Sequence, residues 1–192
     1  ESLIPHLRRQ LRECGLATRP VVERPLRQTP PAVLLAAVAD YLAHDRASDF
    51  AALVRHADVA AWLEAQQVPS GWLSELDQYI AESLQPRLGD WLGPLHQSAK
   101  LRQAFAAVRR WLAPLIGPPR PLGEWSLPIA DALVAIYAPV EFDETSEAQR
   151  VTLAACRHLQ QALDVQARVP SSLAATFTAA EAIHLALESV TG

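Results

Sequence analysis

Fifteen prolines and seven glycines fall between stretches whose apolar residues recur about every three to four positions, a helical period cut into short pieces. Such a chain can fold only by packing one short helix against the next. The pattern predicts an all-α protein, an irregular multi-helix array or bundle of about seven to nine helices without a significant sheet. No repeat of fixed period runs through it, which argues against a regular solenoid.

Half of the 192 residues are apolar, enough to bury a core without a disulfide or metal staple. Cys14 and Cys156 lie far apart with no CxxC or Cys/His cluster, and are read as reduced, buried thiols. No apolar run approaches the roughly 20 residues needed to span a bilayer. The opening residues, with Glu1, Arg8, Arg9 and Arg12, lack the apolar core of a signal peptide. The expectation is a cytoplasmic protein without a membrane partner. The absence of methionine predicts that residues 1–192 are one helical domain of a larger protein. Lys100 is the single lysine beside abundant alanine, leucine and arginine, a usage associated with GC-rich bacterial genomes.

Along the chain, residues 2 to 14 read as a first helix bearing Leu3, Leu7 and Leu11 on one face and ending near Gly15, and residues 16 to 28 as extended. Thr29-Pro30-Pro31 is a strong helix start, because proline in the first turn lacks only an N–H that would have no partner. Leu34, Leu35, Val38, Tyr41 and Leu42 form its apolar stripe. Ser48 or Asp49, Asp58 and Ser70 are expected to cap the next three helices, the last closed by Pro86. A long helix over roughly 96 to 113 follows, with Leu101, Phe105, Val108 and Leu112 on its apolar face. Gly117-Pro118-Pro119-Arg120-Pro121 then interrupts the pattern and suggests sub-lobes 1–116 and 122–192. Ser126, then Thr145 or Ser146, open two further helices, and Thr178 with Glu181 forms a capping box for the last.

Catalytic signatures are missing. There is no GxSxG elbow, no GxGxxG, no GxxxxGK[ST] and no HExxH, and neither cofactor nor metal is expected. His6, His44, His56, His96, His158 and His184 contain no pair four apart, the spacing that aims two imidazoles at one ion. Asp40 with His44 and Glu181 with His184 are read as surface pairs, and Glu141, Asp143, Glu144 and Glu147 as carboxylates near a helix start. Lys100 has Ser98 two positions before it, so the acid-x-lysine element of a PD-(D/E)XK nuclease is not in this segment.

A net charge of -4 argues against a domain that coats nucleic acid through bulk charge, but not against local patches. Arginines cluster at Arg8, Arg9 and Arg12, at Arg19, Arg24 and Arg27, and at Arg109, Arg110 and Arg120. The candidate phosphate contacts are Arg8, Arg9, Arg12, Arg109 and Arg110. Trp62, Trp72, Trp91, Trp111 and Trp125 are read as packing residues rather than base-stacking platforms.

One stretch carries a family likeness. Arg24-Pro25-Leu26-Arg27-Gln28-Thr29-Pro30-Pro31, with Leu34-Leu35, is followed by Asp49-Phe50-Ala51-Ala52-Leu53-Val54-Arg55-His56-Ala57-Asp58-Val59. This resembles AddB-like double-strand-break repair proteins, which join an inactivated superfamily-one helicase to a PD-(D/E)XK nuclease. They carry an "RPL..TP...LL" segment and a later "ALL+HP.V" segment, with Ala57 here where that family often has proline. Thr178-Ala179-Ala180-Glu181-Ala182 is similar to the stretch preceding motif V in UvrD-like helicases. The resemblance implies a noncatalytic helical insertion that helps to position DNA or packs against the helicase-like and nuclease domains of its parent. The alternative is a helical protein–protein interaction scaffold without DNA contact.

Overall fold

The computed structural model describes residues 10, 14, 25–82, 98–143, 145–168 and 175–189, and among them the chain is built almost wholly of helices. Apart from residues 10 and 14, the expected first helix and the extended stretch to residue 24 lie outside the described residues. Residues 26–28, expected to be extended, form a short 3-10 turn. Its carbonyl at Leu26 accepts both the Thr29 N–H (2.9 Å) and the Thr29 hydroxyl (2.6 Å). Helix α1, Pro30–His44, therefore begins where the Thr-Pro-Pro signal puts it, but the threonine side chain points back into the preceding turn instead of forward as a cap. Asp45 ends α1 in the left-handed region (φ 50), its N–H bonded to the Tyr41 carbonyl. Aspartate tolerates that conformation better than most residues.

Helices α2 (Ala47–Val54) and α3 (Ala57–Ala65) follow at once. Their caps differ from expectation. Ser48 and Asp49 fall inside the first turn of α2, and α3 is capped by His56, whose Nδ1 accepts the Asp58 N–H at 3.3 Å. An imidazole nitrogen serves here because the His56 ring is also held by the Pro30 carbonyl, 3.1 Å from Nε2. Helix α4, Trp72–Glu82, and helix α5, Ala99–Leu112, complete the first part of the chain.

The proline-rich stretch after α5 makes a 3-10 turn (Ala113–Leu115) and the two-residue strand β1, Arg120–Pro121. β1 pairs antiparallel with β2, Thr176–Phe177, setting Arg120 opposite Phe177. Helix α6 runs Leu122–Tyr137 and so starts before Ser126, which is a buried mid-helix residue and not a cap. Pro128, the seventh residue of α6, lies past the first turn and removes one backbone donor from the helix interior. Helix α7, Glu147–Ala167, returns against α6. Gly123 permits this closure, since a Cβ there would lie 3.1 Å from the Gln166 carbonyl oxygen and 3.3 Å from the Ala167 Cα. Helix α8, Ala179–Ser189, opens on the expected capping box: Glu181 accepts from the Thr178 N–H (2.7 Å) and hydroxyl (2.8 Å).

α1 is the hub. Leu34, Leu35, Val38, Ala39 and Tyr41 are buried, and the helix packs on α2, α7 and α8. The buried cluster is continuous across the 117–121 break, joining Leu34, Phe50 and Leu101 to Trp125, Ile129 and Leu163. Tyr137 of α6 donates to the Asp58 carboxylate of α3 at 2.5 Å, a second tie across the break.

The cysteines divide. Cys14 is exposed, contrary to the buried reading, while Cys156 is half-buried near Asp58. Burial, reinforced by the Asp58 charge, pushes the Cys156 thiol up to about 11. The thiolate is the reactive form, so alkylation near neutral pH is expected at Cys14 at least about tenfold faster than at Cys156. Peptide mass spectrometry over a time course of iodoacetamide treatment checks this, and equal rates would contradict it.

Candidate anion-contacting surface on helix α5

Helix α5 is fixed at its start by Ser98, whose hydroxyl oxygen accepts the Leu101 N–H (3.0 Å) while donating to the Glu75 carboxylate of α4. Leu101, Ala104, Val108, Trp111 and Leu112 turn inward. Lys100, Arg102, Arg109 and Arg110 are all exposed around the rest of its circumference, and the fourteen residues of the helix include no aspartate or glutamate. In a chain of net charge -4 this concentrates positive charge on one element. Lys100 lies 3.8 Å from Glu75, whereas Arg102, Arg109 and Arg110 make no ion pair with any described residue. Two of these arginines occupy the last turn, where cations also offset the negative end of the helix dipole.

Arg109 and Arg110 do not share a site. Successive residues point about 100° apart around a helix. Arg109 faces a cleft of about 350 Å3 lined by Tyr41, Asp45, Ile116 and the start of α8. Arg110 faces another, of about 270 Å3, with Trp62, Trp111, Pro128 and Asp131 on its walls. Arg120, their neighbour in sequence, is taken up structurally: its guanidinium carbon stands 4.0 Å from the centre of the Trp125 ring, and it donates to the Pro114 carbonyl at 3.3 Å. Arg8, Arg9, Arg12, Arg19 and Arg24 lie outside the described residues.

The tryptophans among the described residues pack. Trp125 is fully buried, Trp72 and Trp111 are buried, and Trp62 stands 5.5 Å from Trp111 between ring centres. Trp111 Nε1 donates to the Ala132 carbonyl at 3.0 Å, and Trp125 Nε1 to that of Phe177 at 2.7 Å. Trp91 is outside the described residues.

His44 is bonded to the Asp40 backbone carbonyl (3.0 Å) and approaches the Asp49 carboxylate at 3.4 Å, so its acidic neighbour is not the Asp40 side chain. Asp143 accepts from the Thr145 N–H and hydroxyl, which hold its carboxyl below the ordinary range. Glu181 is committed to Thr178 rather than to His184. Among the described residues, no three His, Cys, Asp or Glu side chains gather as a metal site, and no helix is long and apolar enough to cross a membrane.

Sequence reasoning passed over Arg102 as a partner of Arg109, although the run without acids from residue 99 to 112 was visible. It also passed over Tyr41 and Asp45, which reach the Arg109 cleft only through tertiary packing. Comparison with models of protein families, with curated proteins and with solved structures finds no match to the chain.

Proposed function

We propose that the chain is a noncatalytic helical domain of a bacterial DNA-repair protein of the helicase–nuclease kind, and that the outer face of α5 contacts the phosphate backbone of DNA. The observation that carries this reading is the acid-free helix bearing four cations in an otherwise acidic chain. Arg102, Arg109 and Arg110 form no ion pair with a described residue, although Asp45 lines the cleft of Arg109 and Asp131 that of Arg110. The family likeness adds support from another direction. Its two segments pack together as α1 and α2, and the Pro30 carbonyl of one is held by His56 of the other. In this reading the parent's nuclease and helicase-like domains supply the chemistry, and the domain positions the duplex or packs against them.

Fluorescence anisotropy with labelled single-stranded, duplex and forked DNA tests the proposal. The variant carrying Arg109→Gln and Arg110→Gln is expected to bind duplex roughly tenfold more weakly or worse, at unchanged thermal stability. Unchanged affinity in that variant would remove α5 from the interface.

A second reading, a docking scaffold, draws on one observation. Leu127 and Val134 lie two turns apart on α6 and are 69% and 55% exposed, near the Trp62–Trp111 cleft that contains Pro128. Partner binding that ignores salt and is lost on Leu127→Ser would favour it over DNA contact.

A further inference from the structure

The Arg109 cleft is closed by four elements: the last turn of α1 with Tyr41 and Leu42, the residue ending it, Asp45, the connector at Leu115 to Gly117, and the N-terminus of α8 at Thr178 to Ala180. Hydrogen-bonding groups from several elements meet there. Tyr41 is 1% exposed, and its hydroxyl, whose polar neighbours are Arg109 and Asp45, has no partner at full hydrogen-bond geometry. The charged neighbours of that hydroxyl, Arg109 and Asp45, line the cleft together with Tyr41 itself. Burial, helped by Asp45 and opposed by Arg109, pushes the phenol up to about 12. At α8, Glu181 takes the Thr178 N–H and hydroxyl, while Ala179 and Ala180, the first two helical residues, have N–H groups with no acceptor inside the helix.

A guanidinium, a buried phenol and a helix N-terminus approach one space from three directions. A carboxylate, planar with two oxygens, satisfies such a set poorly, whereas a tetrahedral oxyanion offers an acceptor to each. We propose that this cleft binds a phosphate group, held by the Arg109 guanidinium, the Tyr41 hydroxyl and the first-turn N–H groups of α8. Asp45 opposes the anion by like charge and limits its affinity. The site shares Arg109 with the DNA-contacting face, yet it is a single-phosphate pocket and does not depend on duplex binding. Its phosphate comes either from solution or from the end of a nucleic-acid strand.

Titration of the full chain with sodium phosphate, at ionic strength held constant with sodium chloride and followed by amide NMR, tests the site. Saturable shifts at Ala179 and Ala180 are expected. Arg109→Gln should weaken binding at least about tenfold, with Arg109→Lys recovering part of it. Tyr41→Phe, which keeps the buried ring, should weaken it about fivefold. Asp45→Asn, which keeps a residue suited to the left-handed backbone, should tighten it. Arg110→Gln should leave phosphate binding unchanged even where it weakens duplex binding, which separates failure of this site from failure of the DNA-contacting reading. Competition by an oligonucleotide with a terminal phosphate, but not by its hydroxyl counterpart, would assign the source to strand ends; competition by neither would assign it to free phosphate. Absence of saturable shifts, or shifts that survive in both Arg109→Gln and Tyr41→Phe, would overturn the proposal.

Discussion

Replacing Trp125 with alanine is expected to lower the unfolding free energy by about 3–5 kcal/mol, the range for removing a large buried aromatic. Three losses coincide at this residue. The side chain is fully buried in the core at the start of α6. Its Nε1 donates to the Phe177 carbonyl at 2.7 Å, fastening β2 to α6, and its ring carries the Arg120 guanidinium. Trp125→Phe keeps most of the volume and removes the donor, so it should cost about 1–3 kcal/mol, the penalty of stranding the carbonyl. Urea titration should show a lower midpoint with an unchanged slope in both variants. A Trp125→Ala protein as stable as the parent would mean that β1, β2 and α6 do not meet around this ring.

Phe50→Ala should be comparably damaging, by about 3–5 kcal/mol. Phe50 is fully buried in α2 and lies at the centre of an aromatic group, 5.7 Å from the Tyr41 ring and 5.5 Å from Phe105. It therefore joins α1, α2 and α5, and its removal loosens the wall of the Arg109 cleft through Tyr41. Phe50→Leu refills most of the space and should cost less than about 1.5 kcal/mol. Calorimetric melting of the two variants distinguishes this from a surface position, where both would be near neutral.

Local chemistry made some of this legible and tertiary packing hid the rest. The starts of α1 and α8 could be read because proline in a first turn and a Thr-x-x-Glu box act within a few residues. The start of α6 could not. Ser126 has the composition of a cap, but Arg120 and Pro121 are drawn into a strand pair by Thr176 and Phe177, more than fifty positions away. The helix then begins directly after that pair. His56 shows the same limit, since its capping role depends on the carbonyl of Pro30 fixing the ring.

The candidate site divides in the same way. Arg109 and Arg110 are visible as cations, and helical geometry alone predicts that they diverge. Which cleft each one faces is decided by α1 and α8 for Arg109 and by α3 and α6 for Arg110. Tyr41 read as an ordinary stripe residue of α1, and only the packed structure brings its buried hydroxyl beside Arg109 and Asp45.

The most direct test of the α5 reading is the salt dependence of duplex DNA binding by the whole chain. Contact through Arg102, Arg109 and Arg110 predicts a plot of log affinity against log salt with a slope of roughly -3, each neutralised phosphate contributing about -0.9. Each arginine replaced by glutamine should make that slope shallower by about 1. A slope near zero, or one that the arginine replacements leave unchanged, would contradict the account.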